Sequence, residues 1–237
     1  MVSILGLLGG PTTLASKTPS ATGQDTATPV RTRVSRIDGR RLRSERTRQL
    51  IIEAYLALLW RNQRMPTAAQ IAAEAGYSTR SIFERFVDLN ALTLATADYA
   101  IAQAQAEATP QDVDADRASR IRSHVSTRAA ACERWLPLWR VLIATQEDVP
   151  ELRTRVVLAR YGNIERMRLM YRSEMAALSD AARERLLFVL GTLVSFESWD
   201  QMRSCFGQSS EAAQVAWVEA IDRLLPPTPA PPNAPTA

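Results

Sequence analysis

"AAQIAAEAGYSTRSIFERF", residues 68–86, consists of two short apolar-patterned runs divided by a single glycine, Gly76. Thr67 just before it and Gln70 three residues on form a capping-box pattern, which satisfies free amides at a helix start. Ile71, Ala72 and Ala75 make the inner face of the first run, and Gly76 stands where a helix end wants a left-handed residue. Ser78 suits the N-cap of the second run, whose Ile82, Phe83 and Phe86 are expected to pack inward. The free side carries Thr79, Arg80, Ser81, Glu84 and Arg85. Two short helices joined by a glycine turn, the second exposing polar groups, are a helix-turn-helix pattern. Its physical sense is a rigid helix clamped from behind by Ala72, Ala75, Ile82 and Phe86, with its free face ready for the major groove of DNA, where base edges differ in donors and acceptors.

Working outward, helical spacing of Ile51, Ala54, Tyr55 and Leu58 predicts a first helix from Ser44 to Asn62. Asp88 caps a fourth, Leu89 to Glu107. After the break "ATPQDVDAD" (108–116), a fifth helix is expected to run to about Arg134, and Pro137 suits the first turn of a sixth. Pro150 opens a seventh reaching Ala177, Ser179 or Asp180 caps an eighth to about Phe206, and "GQSS" (207–210) separates it from a ninth, Glu211 to Leu225. Strand-like alternation and internal repeats are absent. The expectation is an all-α chain: a three-helix helix-turn-helix DNA-binding domain over 44–90 and a larger helical ligand-binding and dimerisation domain over 91–225. Residues 1–43 are expected to be a disordered extension ending in a basic arm, and "PPTPAPPNAPTA" (226–237) an extended proline-rich tail.

The net charge of the 237-residue chain is only +4, but it is unevenly placed. From Arg31 to Arg48 eight arginines face two carboxylates, a local charge of +6 that leaves the rest slightly negative. Such an arm, with Arg40, Arg41, Arg43 and Arg46 nearest the first helix, suits a polyanionic partner met at one end, or is a solvated tail. No apolar run approaches the roughly 20 residues of a membrane helix, and "MVSILGLLGG" lacks the positive start of a signal peptide; it reads as an extension or a misassigned start. Cys132 and Cys205 match no metal or redox spacing and read as reduced, buried thiols of a cytoplasmic protein. No metal or cofactor is expected. An enzyme is the rival class. The chain has no zinc spacing, nucleotide-binding glycine loop, nucleophile elbow or paired acidic helix motif, and it has one histidine. A helical interaction protein that does not bind DNA is the third.

Residues 46–95 resemble the DNA-binding domain of the TetR family of transcriptional regulators. The likeness lies in "RTRQLIIEAYLALL" (46–59), "PTAAQIAAEAGYSTRSIFERF" (66–86) and "VDLNAL" (87–92). It covers about a fifth of the chain and is specific in order, spacing and residue type. The resemblance implies contacts to double-stranded DNA from Ser78, Thr79, Arg80, Ser81, Phe83 and Glu84. Two positions depart from it. Phe83 stands where the family often has a tyrosine whose hydroxyl meets a phosphate, and Leu89 where many members have lysine. The arginines before the first helix can compensate.

Arg80 is the first choice for base reading, since a guanidinium pairs bidentately with guanine; a phosphate clamp is its alternative. Thr79 and Ser81 can meet a phosphate or a thymine methyl, or stay solvated. Arg85 positions rather than specifies. Glu84 is awkward near phosphates and suits a pair with Arg80 or Arg85 better than a cytosine amine.

In "LLFVLGTLVSFESW" (186–199), Leu186, Leu187, Leu190, Leu193, Val194 and Trp199 cover more than one helical face, and Gly191 permits close approach. With "AAQVAWVEAIDRLL" (212–225) these form either the interface of a homodimer through about 180–225, as the family resemblance also implies, or a monomer core. Trp135, Trp139, Met167, Met170, Tyr171 and His124 lie where the resemblance implies a pocket for a small-molecule effector; such residues at helical spacing are equally core.

Overall fold

The computed structural model describes residues 31–107 and 112–229, with the side chains of 31–38 and 40 left aside. The leader expected over 1–30 and the tail over 230–237 lie outside those residues. Ten α-helices are described: α1 (Arg31–Asn62), α2 (Ala68–Ala75), α3 (Thr79–Phe83), α4 (Leu89–Glu107), α5 (Arg117–Thr145), α6 (Pro150–Met170), α7 (Arg172–Met175), α8 (Asp180–Leu193), α9 (Phe196–Asp200) and α10 (Ser210–Leu224). A π-helical turn, Gln201–Cys205, follows α9. The described residues contain no strand, and none of their helices is long and apolar enough to cross a membrane.

The chain divides into two units, Met1–Leu42 and Arg43–Ala237. In the first, the described residues are helical and open α1, which starts at Arg31 instead of Ser44. The arginine-rich segment 31–43 is therefore helix, not disordered chain. Arginine is a good helix former, and the one glycine there, Gly39, costs about 1 kcal/mol, too little to stop a helix.

In the second unit α1 buries Ile51, Tyr55 and Leu59 in one continuous core with Ile71 and Ala72 of α2, Ile82 of α3, Leu92 of α4, and Phe86 between α3 and α4. The Tyr55 hydroxyl lies 3.0 Å from that of Thr93, joining α1 to α4.

Three further helix boundaries differ from expectation. Pro137 does not begin a helix but sits inside α5. It removes one ladder bond, at a cost of about 3 kcal/mol. Its neighbours Trp135, Leu138, Trp139 and Leu142 are all buried, and each such side chain contributes roughly 1.5–3 kcal/mol, so the helix continues.

The long helix from Pro150 stops at Met170, where Tyr171 takes φ −111° and ψ 21°. The Met170 carbonyl there accepts from Arg120 Nη1 at 2.6 Å. The same guanidinium grips Glu174 of α7 at 2.8 and 2.5 Å, with both side chains buried. Burial pushes the Glu174 carboxyl up, but hydrogen bonds from Arg120 and Thr228 outweigh it and hold the pKa at about 2.

The helix from Asp180 likewise breaks at Val194, whose carbonyl accepts from Arg128 Nε at 2.8 Å. Ser195 then caps α9, accepting from the Ser198 amide at 3.0 Å. Before that break α8 lies tight on α6: a Cβ at Gly191 would stand 2.5 Å from Ile164 Cδ1. Trp199 and Trp217, centroids 4.8 Å apart, join α9 to α10 within the chain. Cys132 is buried, and burial pushes its thiol up to about 11. Cys205 is exposed in the π turn, contrary to the expectation of two buried thiols.

Candidate nucleic-acid interface

The turn between α2 and α3 is built from local hydrogen bonds. Thr67 Oγ1 accepts from the Gln70 amide at 3.3 Å, and Gln70 Oε1 accepts from the Thr67 amide at 2.9 Å, completing the capping box. Gly76 takes φ 71° and ψ 30°, and a Cβ there would meet nothing within 4 Å. The left-handed backbone, and not lack of space, calls for glycine. Ser78 then caps α3, accepting from the Ser81 amide at 3.1 Å, with the two hydroxyls 3.0 Å apart.

Ile82 and Phe86 are buried and hold α3 from behind. Phe83 does not join them; it is 47% exposed. Ile82 and Phe86 share a face four residues apart, which turns Phe83 toward the side of Thr79. Ser78, Thr79, Arg80, Phe83 and Glu84 are exposed, while Ser81 and Arg85 are half-buried.

Arg80 Nε donates to Glu84 Oε1 at 3.1 Å, and the other Glu84 oxygen lies 3.8 Å from Arg85 Nη1. Arg85 is turned back on its own helix and donates from Nη1 to the Ser81 carbonyl at 2.9 Å.

Two supports escaped the sequence reading. Arg48 Nη1 donates to the Arg85 carbonyl at 3.0 Å, with its guanidinium 4.2 Å over the Phe86 ring. The Tyr77 hydroxyl lies 3.4 Å from that of buried Thr47. Both span α1 and the turn, so no local pattern announces them. Leu89, at the position of the resembling family's lysine, is half-buried against the core and offers packing in place of charge. Of the arm, Arg40 and Arg41 belong to the first unit and Arg43 and Arg46 to the second. Arg41, Arg43 and Arg46 are exposed, and the Arg40 side chain is outside the described residues.

A cavity of about 360 Å³ lies among α4, α5, α6 and Phe196. Trp135 and Trp139 line it. His124, Met167, Met170 and Tyr171 do not: all four are fully buried in the core, His124 on α5, Met167 and Met170 on α6, and Tyr171 just past its end. His124 Nδ1 sits 2.6 Å from the Tyr171 hydroxyl. Burial first, then the positive charges of Arg166 and Arg128, push the His124 pKa down to about 3, so the ring is neutral. The cavity instead takes Arg128, Arg155, Asn163 and Arg166 into its lining. Charged residues at helical spacing read as a solvated face, so sequence pattern did not single them out. A second cavity of about 490 Å³ adjoins and shares Arg128, Trp139 and Phe196. Among the described residues no group of three or more His, Cys, Asp or Glu side chains is placed to hold a metal ion.

No family model and no curated protein matches the chain. Among the solved structures that match in fold are two of known assignment. One, from Rhodococcus sp., is assigned to the TetR family of transcriptional regulators; it is 19% identical, with a TM-score of 0.59 over 76% of this chain and 98% of that one. The other, from Mesorhizobium loti MAFF303099, carries the same assignment; it is 17% identical, with a TM-score of 0.55 over 77% of this chain and 96% of its own. The chain has the fold of both these regulators.

Within that fold, α1 and the residue just past it are linked to α5 by direct contacts. Trp135, in the cavity wall, meets Trp60 of α1 with ring centroids 6.2 Å apart. Trp60 Nε1 also donates to the Arg134 carbonyl at 2.8 Å, and Arg140 Nη1 donates to Gln63 Oε1 at 2.6 Å.

Proposed function

We propose that the protein is a cytoplasmic DNA-binding transcriptional regulator. It acts as a homodimeric repressor that leaves a palindromic operator when a small-molecule effector binds. One observation carries this reading: α3 is capped by Ser78 and held by buried Ile82 and Phe86, while Ser78, Thr79, Arg80 and Glu84 stand exposed on its other side. A helix so fixed can enter a major groove without losing the precision its hydrogen bonds need. Arg80 reads bases; Ser78, Thr79, Ser81 and Thr67 meet phosphates or base edges; Arg85 holds the helix; Phe83 packs on sugars or a thymine methyl. Arg40, Arg41, Arg43 and Arg46 supply backbone charge.

Residues 44–90 form the reading head and 91–225 the regulatory part. The dimer forms through α8 and α10, which together expose Phe188, Val189, Val215 and Leu224. Two-fold symmetry then sets the two reading helices about 34–36 Å apart, one turn of DNA. The effector occupies the cavity beside Trp135 and acts through the Trp135–Trp60 contact and α4. It releases DNA only by binding the released conformation more tightly.

The test is selection of duplexes from a random library by the purified chain, repeated across salt concentrations. Enrichment of inversely repeated half-sites supports the proposal. A helical interaction protein or an enzyme would enrich nothing, and sites without dyad symmetry would remove the dimeric reading.

A further inference from the structure

The cavity beside Trp135 is unbalanced in charge. Arg128, Arg155 and Arg166 line it, and no aspartate or glutamate does among the described residues. Arg155 is already neutralised from outside by Asp98, at 2.7 and 3.2 Å. Arg128 is fixed but not neutralised. Its Nε donates to the Val194 carbonyl, and its guanidinium lies 4.4 Å over the Phe196 ring. Among the described residues no carboxylate stands within ion-pair distance of it. Arg166 adds a half-buried guanidinium, whose pKa burial lowers from its ordinary value.

The apolar part of the wall includes two tryptophans. The Trp139 indole N–H is used, donating to Glu197 at 3.2 Å. That of Trp135 is buried with no acceptor among the described residues.

We infer that this cavity binds a small organic carboxylate with a flat aromatic body, its anionic end toward Arg128 and Arg166 and its ring against Trp135 and Trp139. The inference rests on the cavity being the effector site and names the chemistry it takes. A carboxylate gains charge-assisted hydrogen bonds from guanidiniums that are partly withdrawn from water. A cation meets like charge there, and a neutral ligand gives the Arg128 guanidinium no counter-charge. At about 360 Å³ the space is near the lower end for small-molecule sites, which suits a body of one or two rings. The adjoining cavity has Glu197 in its lining, paired with Arg160 at 2.7 Å, so it lacks the same excess.

The test is titration of the purified full-length protein with 2-naphthoate and with 2-naphthamide, a neutral mimic of the same shape, by tryptophan quenching and calorimetry. The acid is expected to bind at least about tenfold more tightly than the amide. Arg166→Gln, with an unchanged circular dichroism spectrum, should lose about tenfold for the acid and under about twofold for the amide. Arg166→Lys should restore part of the loss; should Arg166→Gln fail to fold, the acid-to-amide ratio in Arg166→Lys and wild type still decides the matter. If the amide binds as tightly as the acid, the cavity remains an effector site and the anion inference falls. If neither compound binds at about 1 mM, both the inference and the effector reading of the cavity fall.

Discussion

Arg80 Nε lies 3.1 Å from Glu84 Oε1, so the guanidinium proposed to read bases is already paired one helical turn along. Both side chains are largely exposed, at 88% and 55%, and an exposed pair of this kind contributes little to stability. DNA can therefore displace Glu84, or keep the pair and use it to aim Arg80. On the proposed reading Glu84 brings a negative charge toward phosphates in either case. Glu84→Gln is expected to tighten binding to operator and random duplex alike, by about 3–10-fold at low salt. Fluorescence anisotropy on both duplexes measures it; unchanged affinity on both would place Glu84 away from the DNA.

Neutralising the arm should act differently. Replacing Arg40, Arg41 and Arg43 by alanine is expected to weaken all sequences alike. The salt dependence should fall by about one unit of slope for each phosphate that the arm no longer neutralises. A full salt slope in the triple variant would show that these charges meet no DNA.

The turn that presents α3 should be sensitive to its caps. Ser78→Ala removes the acceptor of the Ser81 amide and is expected to cost about 1 kcal/mol. Gly76→Ala forces a Cβ onto a backbone at φ 71° and should cost about 1–2 kcal/mol, although the space around it is open. Urea unfolding at constant m value checks both. A neutral Gly76→Ala would mean that the turn relaxes to another conformation.

Acid sensitivity should begin with His124. Its pKa is about 3 in the folded protein and about 6.5 unfolded, so above pH 6.5 the full stability is present. As pH falls below that, the unfolded chain takes up a proton that the folded one refuses. Stability is then lost at up to about 1.4 kcal/mol per pH unit until the folded pKa is reached. Glu174, held at about 2, adds its own loss only below about pH 4.3, as its unfolded form protonates. Urea midpoints at pH 7.0, 6.0 and 5.0 isolate the histidine. His124→Gln should flatten the decline in that window, and an unchanged decline would assign it to another group.

The helix-turn-helix was legible because its determinants are local. Thr67 and Gln70, Gly76, and Ser78 with Ser81 each act within a few residues, and the stripe of Ile71, Ala72, Ile82 and Phe86 follows the helical period. The breaks in the later helices were not legible. They occur where a carbonyl is claimed by a distant guanidinium: Met170 by Arg120, 50 residues away, and Val194 by Arg128, 66 away. Pro137 misled for the same reason, since the burial that carries α5 through it belongs to tertiary packing. In the cavity, Trp135 and Trp139 were found by their chemistry, whereas Met167, Met170 and Tyr171 share that chemistry but face the core. The lining arginines look, in sequence, like any solvated helix face.

The most direct test of base reading by α3 is the ratio of affinities for a selected operator and a random duplex, measured for wild type and Arg80→Ala at one salt concentration. Removing a bidentate hydrogen-bonded pair with a base should cost about 1–3 kcal/mol on the operator alone, so the ratio should fall by roughly 5–150-fold and preference should flatten at one base pair per half-site. If Arg80→Ala weakens operator and random DNA by the same factor, Arg80 is a phosphate clamp and α3 does not read bases through it.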